Sequence, residues 1–164
     1  MVAAGWIVGF VTQELRRNDE RDELRGDLIE ALQVEIAFMI ARGEKVDWDR
    51  EVERATTSFF KDGRYVPYVH LRLPADALSK IQENIELLDK DQIEAVSAYA
   101  HLVNETRQLT TRIADPSYAR LDTERRKQVF VFWLGLQKRI PDAGENALKV
   151  LSKRPVRGLI RRPK

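Results

Sequence analysis

From Glu14 to Arg42 the chain contains no proline and a single glycine, and Leu24, Leu28, Leu32, Ile36 and Met39 recur every three or four positions. That spacing gathers them on one face of an α-helix, and Ile29, Phe38 and Ile40 widen the stripe. A long apolar stripe has to be covered by other elements, so it constrains the rest of the chain. The reading is one long N-terminal helix to about Arg42, with Gly43 as its stop.

The remainder divides into shorter helices by the same criteria. Asp47 is placed to cap a second helix, with Trp48, Val52, Ala55 and Phe59 on one face. Leu78, Ile81, Ile85 and Leu88 mark a third at near-heptad spacing, as in a coiled coil. Asp89 and Gln92 have capping-box spacing, and Leu88 and Ile93 are placed as a hydrophobic staple. A fourth helix therefore starts there, running through Val96, Tyr99, Val103, Thr106 and Ile113 until Asp115-Pro116 stops it. Asp122 caps a fifth, which carries Val129, Phe132, Trp133, Leu136 and Ile140. Pro141 is expected to break this helix, and Asp142 with Glu145 to start a last one that ends ahead of Pro155.

The least helical part lies from Lys61 to Pro74. Asp62-Gly63 is a turn signal, and in Tyr65–Leu73 the residues Val69, Leu71 and Leu73 alternate with Tyr68, His70 and Arg72. Pro67 argues against a central strand, leaving an extended segment or an isolated short strand. Phe59, Phe60, Tyr65 and Tyr68 cluster around it. They are read as the cover of a core end or as an interface with a partner.

At 164 residues, 43% of them apolar, the chain has the size and composition of one domain with a core. There is no cysteine, which excludes disulfides and thiol chemistry. Charge is uneven. Lys149 to Lys164 hold seven of the 28 basic residues and none of the 26 acidic ones, leaving 21 basic against 26 acidic in residues 1–148. A mildly acidic body with a cationic tail does not resemble a dedicated nucleic-acid-binding face. The tail residues Lys153, Arg154, Arg157, Arg161, Arg162 and Lys164 are candidates for contact with anionic lipid or, as the alternative, with nucleic acid. A solubilising end is the plain reading of the same residues.

Val2 to Val11 is an uncharged, mostly apolar run, about half the ~20 residues of a spanning helix. Thr12 and Gln13 extend it, and the twelve residues from Glu14 to Arg25 then hold nine charges, the first basic ones being Arg16 and Arg17. An apolar run followed by arginines is how a spanning segment ends on its cytoplasmic side. The run is read either as the C-terminal half of an anchor or as an apolar helix end packed on the domain. Gly5 and Gly9 within it have the spacing that lets two helices approach closely in lipid, so a homodimer through the N-terminal helix is a further expectation.

The anchor-like start, LRGDLIEALQVEIAFM, and ALSKIQENIELLDKDQIEAVSAYAHLVNE together resemble a diffuse group of small bacterial membrane-anchored helical proteins of unknown function. The landmarks are Leu87, Leu88 and Tyr99, and the resemblance covers roughly residues 1–110. It implies an architecture and a location at the cytoplasmic face of the bacterial inner membrane, and supplies no activity. The Tyr65–Leu73 segment and the aromatic fifth helix depart from the pattern.

No pattern for catalysis stands out. His101 and Glu105 are one turn apart and Glu94 lies two turns before, but no Glu-x-x-His pair accompanies them, and His70 sits on the extended segment. Ser58, Ser79, Ser97, Ser117 and Ser152 lack elbow glycines, and no glycine-rich phosphate loop is present. The sequence therefore predicts an all-α fold: a long N-terminal helix packed into an irregular helical bundle, with one short extended segment around 65–73. Residues 1–13 form a partial anchor or helix start, 14–152 one helical domain, and 153–164 a basic tail. The expected role is a non-enzymatic, membrane-associated scaffold or interaction domain with no cofactor and no metal. Its alternative is a soluble helical module that binds nucleic acid through the tail.

Overall fold

The computed structural model describes residues 3–61, 63, 65–69 and 75–153, and for residues 3–15 the backbone alone. Five α-helices carry the fold: α1 (Ala3–Gly43), α2 (Trp48–Arg54), α3 (Asp76–Glu83), α4 (Lys90–Ala114) and α5 (Thr123–Leu151). A π-helical turn (Ala55–Phe59) extends α2, and short 3₁₀ turns follow α3 and precede α5. The bundle is all-α, and no strand occurs among the described residues. Tyr65–Val69, where the sequence predicts the extended segment, is an irregular non-helical stretch, while residues 70–73 fall outside the described residues.

Local capping sets several of the boundaries. Asp47 accepts a hydrogen bond from the Arg50 amide at 3.1 Å, and Asp122 accepts from the Arg125 amide at 2.9 Å. Gln92 Oε1 accepts from the Asp89 amide at 3.1 Å, the returning half of the capping box that opens α4. For α3 the cap comes from elsewhere. Its N-terminus has no local side-chain cap, and Glu35 of α1 accepts from the Ala77 amide at 2.9 Å. Gly63 has φ 71°, the left-handed conformation that a glycine adopts without steric cost, and so makes the expected turn.

Leu28, Leu32, Ile36 and Met39 of α1 are buried, as are Val96, Tyr99, Val103 and Ile113 of α4. Trp133, Leu136 and Ile140 come into the same core from α5. Each such large side chain contributes about 1.5–3 kcal/mol by leaving water. The stripe from Leu28 to Met39 thus lies inside its own chain. Gly5 and Gly9 stand in the first turns of α1, and their surroundings fall outside the described residues.

Three expectations are corrected. Phe38 does not widen the buried stripe. It is 55% exposed because it stands about 200° round the helix from Ile36, and Leu24 is also exposed. On α5 the inward stripe is Arg126, Phe130, Trp133, Gln137 and Ile140, which leaves Phe132 exposed. Finally, α5 runs unbroken through Pro141, and no separate last helix starts at Asp142. The proline ring removes one bond, to the Gln137 carbonyl, at a cost of ~3 kcal/mol. Packing on both sides of it, from Trp133 to Ala147, holds the helix together. Gly43 makes room for the ring: a Cβ there would lie 2.5 Å from Pro141 Cγ.

The contacts orient the helices. Gly43 lies against Pro141, while Ile36 and Ile40 lie against Gly144, so α1 and α5 are antiparallel. Arg25 reaches Asp89 and Gln92 at the start of α4, and Glu35 stands in the electrostatic field of Tyr99 further along it, so α1 and α4 run parallel. One pole of the bundle therefore holds the start of α4 and the end of α5, and it is the pole from which the N-terminal part of α1 departs. The other holds the end of α1, α2 and the aromatic segment.

Candidate functional site

At this second pole the end of α1, α2, the π turn, the extended segment and α5 enclose a cavity of about 410 Å³. Its size suits a small ligand or an anchoring side chain. The floor comes from α5, where Phe130 and Trp133 stack with ring centroids 5.6 Å apart. The Trp133 indole N–H is held by Thr110 of α4 at 2.9 Å, which fixes the ring. Trp48 forms a wall, and its N–H donates to the Gly43 carbonyl at 3.1 Å, tying α2 to the end of α1.

The cluster expected from the sequence is assembled here. Phe59 stacks on Tyr65 at 4.7 Å, and Phe60 meets Tyr65 edge-on at 5.1 Å. Phe59, Tyr65 and Tyr68 line the cavity, while Phe60 is buried beneath them against Phe130. The rings thus cover the core end and also wall an open pocket. Tyr68 stands at its rim, 88% exposed.

The extended segment is held by Arg126, which sequence reasoning missed. Its guanidinium is buried and donates to the Gly63 and Tyr65 carbonyls and, at 3.3 Å, to Thr123 Oγ1. Tyr118 in turn donates its hydroxyl to the Arg126 carbonyl at 2.7 Å. A loop without ladder partners needs donors for carbonyls turned away from water, and an arginine supplies several from one side chain. The available signal was the interval: Arg126, Phe130, Trp133, Gln137 and Ile140 step by four and three. That spacing puts an arginine and a glutamine on an otherwise apolar stripe.

Electrostatics at the pocket are mixed. Arg54 pairs with Glu51 at 2.8 Å and lies over the Phe59 ring, 4.8 Å from its centroid. Arg42 also lines the cavity and has no ion-pair partner among the described residues. Burial, with a further push from Glu51, raises the Tyr65 phenol above its ordinary value, and Arg54 acts against that. Gln137 reaches the cavity from the buried face of α5, and its Nε2 has no hydrogen-bond partner.

The remaining candidate residues are dispersed. His101 is exposed and stands 3.7 Å from Glu105, a surface pair on α4. No group of metal-ligating side chains occurs among the described residues. His70 is outside them. Of the tail candidates, Lys153 is exposed just after α5, and Arg154, Arg157, Arg161, Arg162 and Lys164 lie outside the described residues. Among the described residues no helix is long and apolar enough to cross a membrane. Comparison with protein families, curated proteins and solved structures finds no match for the chain.

Proposed function

We propose that the protein is a non-enzymatic interaction domain that works at the cytoplasmic face of a membrane. In this reading the N-terminal helix is the tether and the aromatic pocket is the contact site. What supports it is the polarity of the bundle. Because α1 and α5 are antiparallel, α5 ends pointing towards the pole from which the apolar N-terminal run departs. The pocket lies at the other end of α1, about 60 Å along the helix from Ala3. The tether and the basic tail then act on one surface, while the pocket is presented away from it. From Arg16 to Asp27 all of α1 except the half-buried Arg25 is exposed, as suits a spacer between bilayer and domain.

Flotation of the full chain with vesicles tests this. Binding to phosphatidylcholine vesicles should require the N-terminal run. Adding phosphatidylglycerol should strengthen it through the tail, by about 1 kcal/mol for each Lys or Arg near the surface. Truncation after Ser152 should remove the anionic increment and leave the rest. Quantitative recovery of the native-length chain in the soluble fraction would defeat the tether. Tail-dependent retention on DNA, stronger than on anionic vesicles, would favour nucleic acid instead.

A further inference from the structure

The pocket carries a charge pattern that the tether does not explain. Its walls are aromatic, yet its charged residues are Arg42, Arg54 and Glu51, a surplus of one positive charge. Arg54 and Glu51 already satisfy each other, and the Arg54 guanidinium covers the Phe59 face. The surplus therefore resides on Arg42, at the end of α1. Gln137 also lines this cavity; it is 5% exposed, and its Nε2 is buried behind the wall without an acceptor.

We infer that the pocket binds an amphipathic monocarboxylate, with an aromatic or short aliphatic body against Trp48 and Trp133 and its carboxylate on Arg42. A guanidinium matches a carboxylate with two parallel hydrogen bonds, while the aromatic walls take the apolar body. A quaternary ammonium is the other ligand an aromatic cavity suits. Here it would face Arg42 with Glu51 already engaged. This inference rests on the reading of the pocket as the contact site and is independent of the tether.

Calorimetric titration of the full chain with phenylbutyrate, phenylbutyramide and phenylbutyl-trimethylammonium separates the possibilities. The carboxylate should bind about tenfold or more tightly than the amide, the difference a charge-assisted hydrogen bond supplies, and the ammonium should bind weakest. Arg42→Gln, at an exposed position, should bring acid and amide to the same affinity without changing the melting temperature. Val46→Trp, which places a ring in the cavity, should abolish binding of all three. Equal affinities would overturn the carboxylate and leave an apolar pocket. Tighter binding of the ammonium, or a preference that survives Arg42→Gln, would also overturn it. No saturable binding by any probe would remove both this inference and the pocket as a small-ligand site, leaving the vesicle result untouched.

Discussion

At the pole where α4 begins, Arg25 reaches Asp89 at 2.8 Å and Gln92 at 3.0 Å, and Asp89 is largely in water. At the opposite pole Arg126 is buried and gives its donors to the backbone of Gly63 and Tyr65. The two arginines do different work because the backbone around them differs. Helices satisfy their own amides and carbonyls, so the half-buried Arg25 joins elements that already stand, and its pair with the exposed Asp89 contributes about 0–1 kcal/mol. Around Gly63 and Tyr65 the chain has left the helix, and its carbonyls depend on a side chain for donors. An irregular segment can wall a pocket here because a buried guanidinium stands in for secondary structure.

The largest expected effect tests whether the pocket pole belongs to the core at all. Trp133 stacks on Phe130, is held by Thr110 and forms the pocket floor. Trp133→Ala should destabilise the chain by about 3–5 kcal/mol, read by thermal or urea denaturation. A melting temperature left unchanged would make that pole peripheral and void the comparison.

Replacing each arginine by methionine tests the contrast itself. Arg126→Met takes the donors from two half-buried carbonyls and should cost about 2–4 kcal/mol, since hydrogen bonds from charged groups are the stronger ones. Arg25→Met should cost under about 1 kcal/mol. Equal losses in urea denaturation would show that both poles are held in the same way.

Alkaline pH should loosen the molecule through buried phenols. Burial raises the Tyr118 phenol from 10.0 to about 12, despite the opposing charge of Arg126, and Tyr99 is raised further by burial and by Glu35. A phenol with a raised folded-state value contributes stability that is fully present below its ordinary value of about 10. That contribution is lost as pH rises from there through the folded value, by roughly 1.4 kcal/mol per pH unit for each group. Denaturation midpoints should therefore hold steady to about pH 9 and fall above about pH 10. Tyr118→Phe should flatten part of that fall. An unchanged slope would show that the Tyr118 phenol ionises alike in the folded and unfolded chain.

What the sequence made legible was whatever is local. The α1 stripe, the caps at Asp47 and Asp122, the Asp89–Gln92 box and the turn at Gly63 each depend on residues a few positions apart, and each is present. The aromatic cluster could be seen because Phe59 to Tyr68 are close in the chain. The cap that Glu35 gives to Ala77 spans 42 positions and has no local signature. The pocket draws its residues from Met39 to Pro141, so only its aromatic wall was visible. The rotation of α5 was not legible because its apolar residues alone suggest a face that holds Phe132, whereas the buried face also takes in Arg126 and Gln137.

The helix through Pro141 is the point where local rules and packing disagree most directly. Gly43 does not have positive φ, so alanine fits its backbone and would be the better helix former by up to about 1 kcal/mol. The obstacle is the proline ring, 2.5 Å from where the new Cβ would stand. Gly43→Ala should therefore destabilise by about 1–2 kcal/mol, overpacking outweighing propensity. With Pro141→Ala in the same chain the obstacle is gone, and the glycine substitution should become neutral or stabilising. The coupling in this double-mutant cycle measures the contact between the end of α1 and α5, the joint on which the pocket stands. Additive effects would mean that Gly43 is there to end α1 and that Pro141 is accommodated without it.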